Sequence, residues 1–290
     1  MVKAYMELKH IATRAGRLSS FLKEELKMSN GLMNRLKWQD AIQVNGTPRH
    51  TDYPVQPGDV ITVAMDEETP EYPAEDGPLS VLYEDDYLLA VDKPAGMLIH
   101  PSRTKFDGTL ANYVAGYFRK TGQKSAFHPV TRLDRDTFGI VLLGKNAHIH
   151  SLLQAGVLQK TYHALTFGGP EADSGVIDAP IARKPLPSLL REVRPEGKPS
   201  VTEFRVLERC EKLCKLELKP ITGRTHQLRV HCAYLGFPIL GDPQYGSEAS
   251  RAFSEQFGWH TQMLCAKKLE LIHPVTGEAL CLESMMDVEW

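Results

Sequence analysis

The sequence has no apolar run near the roughly 20 residues that a membrane-spanning helix requires. Its first residues, MVKAYMELKH, carry no apolar core of a secretory leader, so no membrane association and a cytoplasmic location are expected. Cysteine is scarce. The five thiols, Cys210, Cys214, Cys232, Cys265 and Cys281, are odd in number and scattered, which suits reduced side chains rather than a disulfide framework. Only Cys210 and Cys214 are close, without a second pair at zinc-finger spacing, and no metal site is expected. Net charge is also small, at −2, which on its face argues against a nucleic-acid partner. What remains is an ordinary globular composition, 42% hydrophobic and 24% charged over 290 residues. That is enough chain for one large domain and a small one.

The small net charge hides an uneven distribution. Residues 1–64 carry nine Lys/Arg against six acids, residues 65–90 carry nine acids and no Lys/Arg, and residues 91–290 carry 25 Lys/Arg against 21 acids. The acidic stretch MDEETPEYPAEDGP is rich in proline and reads as a linker over 66–78. With it set aside, both flanking units are mildly basic, which permits a phosphate-rich partner.

In the first unit, Leu18, Phe21, Leu22 and Leu26 fall on one helical face. Ser29 is placed to cap a second helix carrying Leu32, Met33 and Leu36. Next come a strand at Ile42–Val44, an Asn45-Gly46 turn and a Pro57-Gly58-Asp59 turn into Val60–Val63. Arg17, Lys23, Lys27, Arg35 and Lys37 are left for an outer face. This order of elements over residues 15–65 resembles the α-L RNA-binding domain named after a small-subunit ribosomal protein. The resemblance implies RNA binding by shape and phosphate contact, with those five cations as accessory contacts.

Residues 128–146 of the second unit read HPVTRLDRDTFGIVLLGKN. Four charges, Arg132, Asp134, Arg135 and Asp136, stand just before the apolar run Ile140–Leu143, which reads as a strand in a covered sheet. Charges at a strand mouth lie at a loop-to-core boundary, where carboxylate chemistry can be tuned. Elsewhere, short strand-like segments alternate with single helices, one of them expected at 147–158. The fold class expected is mixed α/β (α+β) with a largely antiparallel sheet over 79–290.

Four segments in this unit, DDYLLAVDKPAGMLIHP, TRLDRDTFGIVLL, KTYHALTFG and PITGRTHQLRVHCAYLGFPILGDPQYG, occur in the order found in the RluA-type pseudouridine synthases, which the chain resembles over 79–275. The family converts uridine within RNA to its carbon-linked isomer without a cofactor. The base is detached from the sugar, turned and rejoined through carbon 5. Such chemistry needs a carboxylate nucleophile, a group that positions the base, and a cation that keeps the carboxylate ionised and aimed. The resemblance implies these roles for Asp134, Tyr162 and Arg229, with Tyr162 stacking on the base and taking the carbon-5 proton. It implies that Leu228 packs against the site and that Arg132 fills the gap left by the flipped base. Arg224 and His226 are implied as phosphate-binding or loop-fixing residues. Ribosomal RNA is the favoured substrate, transfer RNA the alternative, and a monomer is expected.

Three positions depart from the family pattern. Thr131 stands where a histidine is usual, Phe138 replaces the serine of Thr-Ser-Gly, and Cys265 replaces the histidine of Leu-His-Ala. They raise the question of how the nucleophile loop is supported. Two other classes compete. A metal-dependent hydrolase built from His148, His150, His226 and His231 is disfavoured, because side chains two apart on a helix diverge by roughly 200°. A non-catalytic RNA-binding protein or RNA chaperone would have no need of a carboxylate, an arginine and an aromatic together.

Overall fold

The computed structural model describes residues 6–68, 70–102 and 104–290. Its N-terminal unit runs β1 (Met6–Ile11), β2 (Gly16–Arg17), α1 (Leu18–Glu24), α2 (Asn30–Lys37), β3 (Ile42–Val44), β4 (Thr47–Pro48), β5 (Pro54–Val55) and β6 (Val60–Met65). Met6 and Leu8 of β1 alternate with exposed residues, so their strand has one face to bury, and it pairs along β6 from Met6↔Met65 to Ile11↔Val60. The unit's sheet therefore starts before the expected 15–65 span. Leu18, Phe21 and Leu22 of α1 and Met33 and Leu36 of α2 are buried. The Ser29 hydroxyl caps α2 by accepting from Leu32 N–H at 3.2 Å. Asn45 and Gly46 both take positive φ, which turns β3 back into β4.

The described residues of 66–78 form no regular element, yet they are strapped to the large unit. Glu68 pairs with His128 and accepts from Ala147 N–H; Glu75 accepts from Gly108 N–H at 3.0 Å, and Asp76 pairs with Arg119 at 3.2 Å. Three acids of the run thus find donors on the large unit.

The large unit comprises β7 (Ser80–Glu84), β8 (Leu88–Lys93), α3 (Leu110–Lys120), β9 (His128–Pro129), β10 (Phe138–Gly144), α4 (Ala147–Ala155) and β11 (Leu158–Phe167). It continues with β12 (Ser174–Asp178), β13 (Ile181–Arg183), β14 (Arg191–Val193), β15 (Val201–Cys210), β16 (Leu213–Pro220) and α5 (Gln227–Tyr234). Last come α6 (Glu248–Gln256), β17 (Leu264–Ile272) and β18 (Ala279–Glu283). A ten-stranded sheet in the order β12-β15-β16-β11-β17-β10-β8-β7, with β18 beside β17 and β9 beside β10, carries the unit. All its pairings are antiparallel except β10 with β17. The mixed, largely antiparallel α/β class read from the sequence is the class observed.

The helix expected over 147–158 ends at Ala155. Gly156 is extended, and Leu158 already pairs with Leu271 in the sheet. Strand β10 shows why its apolar run is continuous. Val141 and Leu143 pack with α3 residues such as Val114 and Phe118, whereas Ile140 and Leu142 join the core shared with the N-terminal unit. A strand covered on both faces has no polar side to alternate. Gly139, at φ +106, sits where β10 meets β17, and a Cβ there would lie 2.4 Å from the Ala266 carbonyl oxygen. Only glycine permits this crossing next to the charged loop that precedes β10.

Candidate active site

The charged packet at the mouth of β10 is resolved pair by pair. Thr131 is buried and its hydroxyl accepts from Leu142 N–H at 2.9 Å, stitching the loop to β10. Asp136 is buried and receives the Arg135 guanidinium through two hydrogen bonds of 2.9 and 2.8 Å. The Lys93 ammonium, fully buried at the end of β8, donates to the carbonyls of Arg135, Pro94 and Met97 at 2.8, 2.8 and 2.9 Å. Burial lowers the Lys93 pKa to about 8, against the opposing charges of Asp136 and Asp134. Gln262 donates to the Thr137 hydroxyl at 3.1 Å. The loop is therefore held from three directions, and of the packet's four charges Asp134 is the one that pairs with a buried guanidinium.

That cation is Arg229 on α5. Its Nη1 donates to Asp134 Oδ2 at 3.0 Å, while Nε and Nη2 bind Asp242 at 2.7 and 2.8 Å and Nη2 also reaches Gln244 at 2.9 Å. The Tyr245 ring lies 4.9 Å beneath the guanidinium. Burial works against the charge of Arg229, but the Asp242 and Asp134 carboxylates outweigh it, and its pKa lies above the ordinary arginine value. A planar fork spends one edge on Asp242 and offers the remaining nitrogen to Asp134, which fixes direction as well as charge. His226, at the head of α5 with φ +58, places Nε2 at 3.8 Å from Asp134 Oδ1. Its Nδ1 meets the Tyr245 hydroxyl at 2.8 Å, and that hydroxyl accepts from Arg191 N–H at 2.9 Å. Burial holds the His226 pKa below the usual histidine value, with Asp134 opposing.

Tyr162 on β11 pairs with Leu218 and Ala266 and packs on the cluster that contains Leu228. Burial first, and then the charge of Asp134, raise its phenol well above the ordinary value. The hydroxyl stays protonated near neutrality, so the ring suits stacking better than service as a ready-made base. Arg132 is exposed and makes no hydrogen bond or ion pair with a described residue. Arg224 is exposed but tied through Nε to the Pro199 carbonyl at 3.1 Å, a loop-fixing contact. Asp134, Tyr162, Leu228, Arg229 and His226 thus converge, and Arg132 stands exposed two residues before Asp134.

The N-terminal cations lie apart from this cluster. Arg35 pairs with Asp66 at 2.9 Å, and Lys37 lies 4.9 Å from the centre of the Trp38 ring, which is 77% exposed. Arg17, Lys23 and Lys27 are exposed. The histidines of the hydrolase reading do not meet: His148 and His150 are on α4, His231 is bonded to Thr202 and the Ala179 carbonyl, and His226 faces Asp134. Among the described residues, no three His, Cys, Asp or Glu side chains are grouped to hold a metal ion.

The sequence reading missed Lys93, Asp242, Gln244 and Tyr245. Asp242 and Tyr245 stand in the quoted segment GDPQYG, but nothing local shows that this turn folds back onto Arg229.

Two of the three departures prove to be one feature. Phe138 and Cys265 are direct partners in the parallel β10–β17 pair. Phe138 packs on the cluster containing Cys265, which is fully buried and whose thiol is pushed up to about 12 by that burial. A bulky apolar side chain and a small soft one occupy the two places that serine and histidine hold in the family pattern. We expect Phe138→Ser alone to cost about 1–3 kcal/mol through lost packing, and Cys265→His alone a similar amount through overpacking. The double variant should cost less than the sum by at least about 0.5 kcal/mol. Urea unfolding of the four proteins measures this, and strict additivity would show that the two positions are independent.

Comparisons with known proteins show the family. Residues 87–234 match the family model for RNA pseudouridylate synthase. The chain is 36% identical over 261 residues to the uncharacterized RNA pseudouridine synthase YjbO of Bacillus subtilis, covering 88% of this chain and 90% of that one. It is 32% identical over 289 residues to the ribosomal large subunit pseudouridine synthase C of Vibrio cholerae, covering 93% and 90%. The solved structure of human RNA pseudouridylate synthase domain containing 1 aligns with a TM-score of 0.60 at 27% identity, over 74% of this chain and 86% of that one. With a match over half its length and relatives spanning nearly all of it, the chain belongs to the RNA pseudouridylate synthase family and is an RNA pseudouridine synthase of the RluA type.

Proposed function

We propose that this enzyme isomerises uridines of ribosomal RNA with Asp134 as nucleophile, after flipping the target base out of its stack. The observation that carries the reading is the Asp134–Arg229 contact of 3.0 Å, made by an arginine already clamped on a fully buried Asp242. A carboxylate aimed by a fixed cation, beside the ring of Tyr162 and the side chain of Leu228, has the parts for covalent attack on a nucleotide. In this reading Tyr162 stacks on the base in its neutral form, and Leu228 closes the pocket wall. The reaction leaves the composition of the nucleotide unchanged, and in this reading the attacking, guiding and stacking groups are all side chains of this chain. Ribosomal RNA is favoured because relatives such as the Vibrio cholerae protein bear that substrate in their names. The exposed Arg17, Lys23 and Lys27, with Lys37 beside Trp38, provide an accessory face for phosphate and base contact. Mapping pseudouridine in the RNA of cells with and without this chain tests the substrate. Loss of modification confined to ribosomal RNA is expected, and loss confined to transfer RNA would overturn that choice.

The unpartnered Arg132 suits entry into the stack where the base has left. Arg132→Ala should slow single turnover on a hairpin containing the target uridine by about tenfold or more, since unstacking costs a few kcal/mol. The loss should shrink on an unstructured oligonucleotide carrying the same uridine. An equal loss on both substrates would assign Arg132 to another step.

A further inference from the structure

Lys160 stands two residues before Tyr162 on β11, and its side chain lines a small cleft with Thr131, Ile140, Tyr162 and Leu269. Leu269 is its direct cross-strand partner on β17 and is buried. The lysine is itself half-buried, and it makes no hydrogen bond or ion pair with a described residue. Its surroundings make that unusual. Lys268, on the same cleft, is paired with Glu270 at 2.8 Å; Arg229, Lys93 and Arg135 are all neutralised or bound to carbonyls. Burial holds the Lys160 pKa below the ordinary lysine value, and no carboxylate opposes the effect. An ammonium group partly withdrawn from water without a counter-charge is costly, and a leucine, methionine or glutamine would fill the place more cheaply.

The missing anion can come from the substrate. Uracil and ribose are neutral, so the charge that a uridine in RNA brings to a cleft is its phosphodiester. We propose that Lys160 binds a phosphate flanking the target uridine. The inference rests on the cleft beside Tyr162 being the uridine site. A phosphate at Lys160 would hold the RNA backbone equally in the bound and the reacting states, apart from the groups at Asp134 and Arg229.

The test uses the full chain and an unmodified ribosomal RNA transcript bearing tritium at uridine carbon 5, which is released on isomerisation. Single-turnover rates and equilibrium binding are followed against salt for the native protein, Lys160→Met and Lys160→Arg, with Asp134→Asn as control. Lys160→Met should weaken half-saturation by about tenfold and reduce the slope of log affinity against log salt by about one. Its limiting rate should change by less than about threefold, as for a contact equal in ground and transition states. Lys160→Arg should restore the slope, and thermal unfolding of Lys160→Met should be unchanged or raised. An unchanged slope would overturn the proposal, as would a fall in limiting rate with binding intact, which would place the ammonium on the base or the nucleophile. Failure of the uridine reading itself would appear separately, as tritium release that persists in Asp134→Asn.

Discussion

Replacing Arg229 with alanine should slow the chemical step by about 100-fold or more, on the scale expected when a reacting group loses its alignment. The side chain serves two carboxylates at once: Asp242, whose side chain is fully buried, and Asp134, whose side chain is 30% exposed. Truncation leaves the first as an uncompensated buried charge, so the protein should also lose about 3–5 kcal/mol of stability. The two losses must be separated before either is interpreted. Arg229→Lys does so. A lysine is a single point charge without a planar fork, and it cannot span both carboxylates. It should stay with the more deeply buried Asp242, retaining most of the stability, while Asp134 loses its guide and the rate remains low. Urea unfolding and single-turnover rates on the same preparations measure the two effects. Full activity in Arg229→Lys would mean that charge alone, and not the fork, positions Asp134.

The readability of this molecule varied with the distance over which its interactions act. Asp134, Tyr162, Leu228 and Arg229, which the structure brings together, could be named from the sequence because each stands in a short pattern that the resemblance fixes residue by residue. The β10 strand was legible from its uninterrupted apolar run. Lys93 was not, because Lys-Pro-Ala-Gly reads locally as a turn, and its decisive contact is with the Arg135 carbonyl, 42 residues on. The same holds for Asp242 and Tyr245. Their place under Arg229 depends on how the turn after α5 packs, which no periodicity reveals. Thr131, Phe138 and Cys265 looked in sequence like three separate losses. The sheet shows a hydroxyl that bonds the strand and a facing Phe–Cys pair. The acidic stretch was read as a linker from proline and charge, and the cations and backbone amides that hold it down come from elsewhere in the chain.

The largest effect is expected at Asp134. Asparagine keeps the shape and the oxygen that accepts from Arg229, and Arg229 remains clamped on Asp242, so the fold and the cleft should persist. What is lost is the anionic oxygen to which the proposal assigns the attack, and an amide is no substitute for it. The direct measurement is pseudouridine formed on an unmodified ribosomal RNA transcript, quantified by mass spectrometry in a single-turnover reaction. The Asp134→Asn protein is first verified by mass to be free of the aspartate form. Its turnover should fall by at least about 10³-fold, with affinity for the same transcript within about threefold of the native value, as expected when phosphate contacts carry the binding. Pseudouridine formed at a rate near that of the native protein would contradict the assignment of Asp134 as nucleophile.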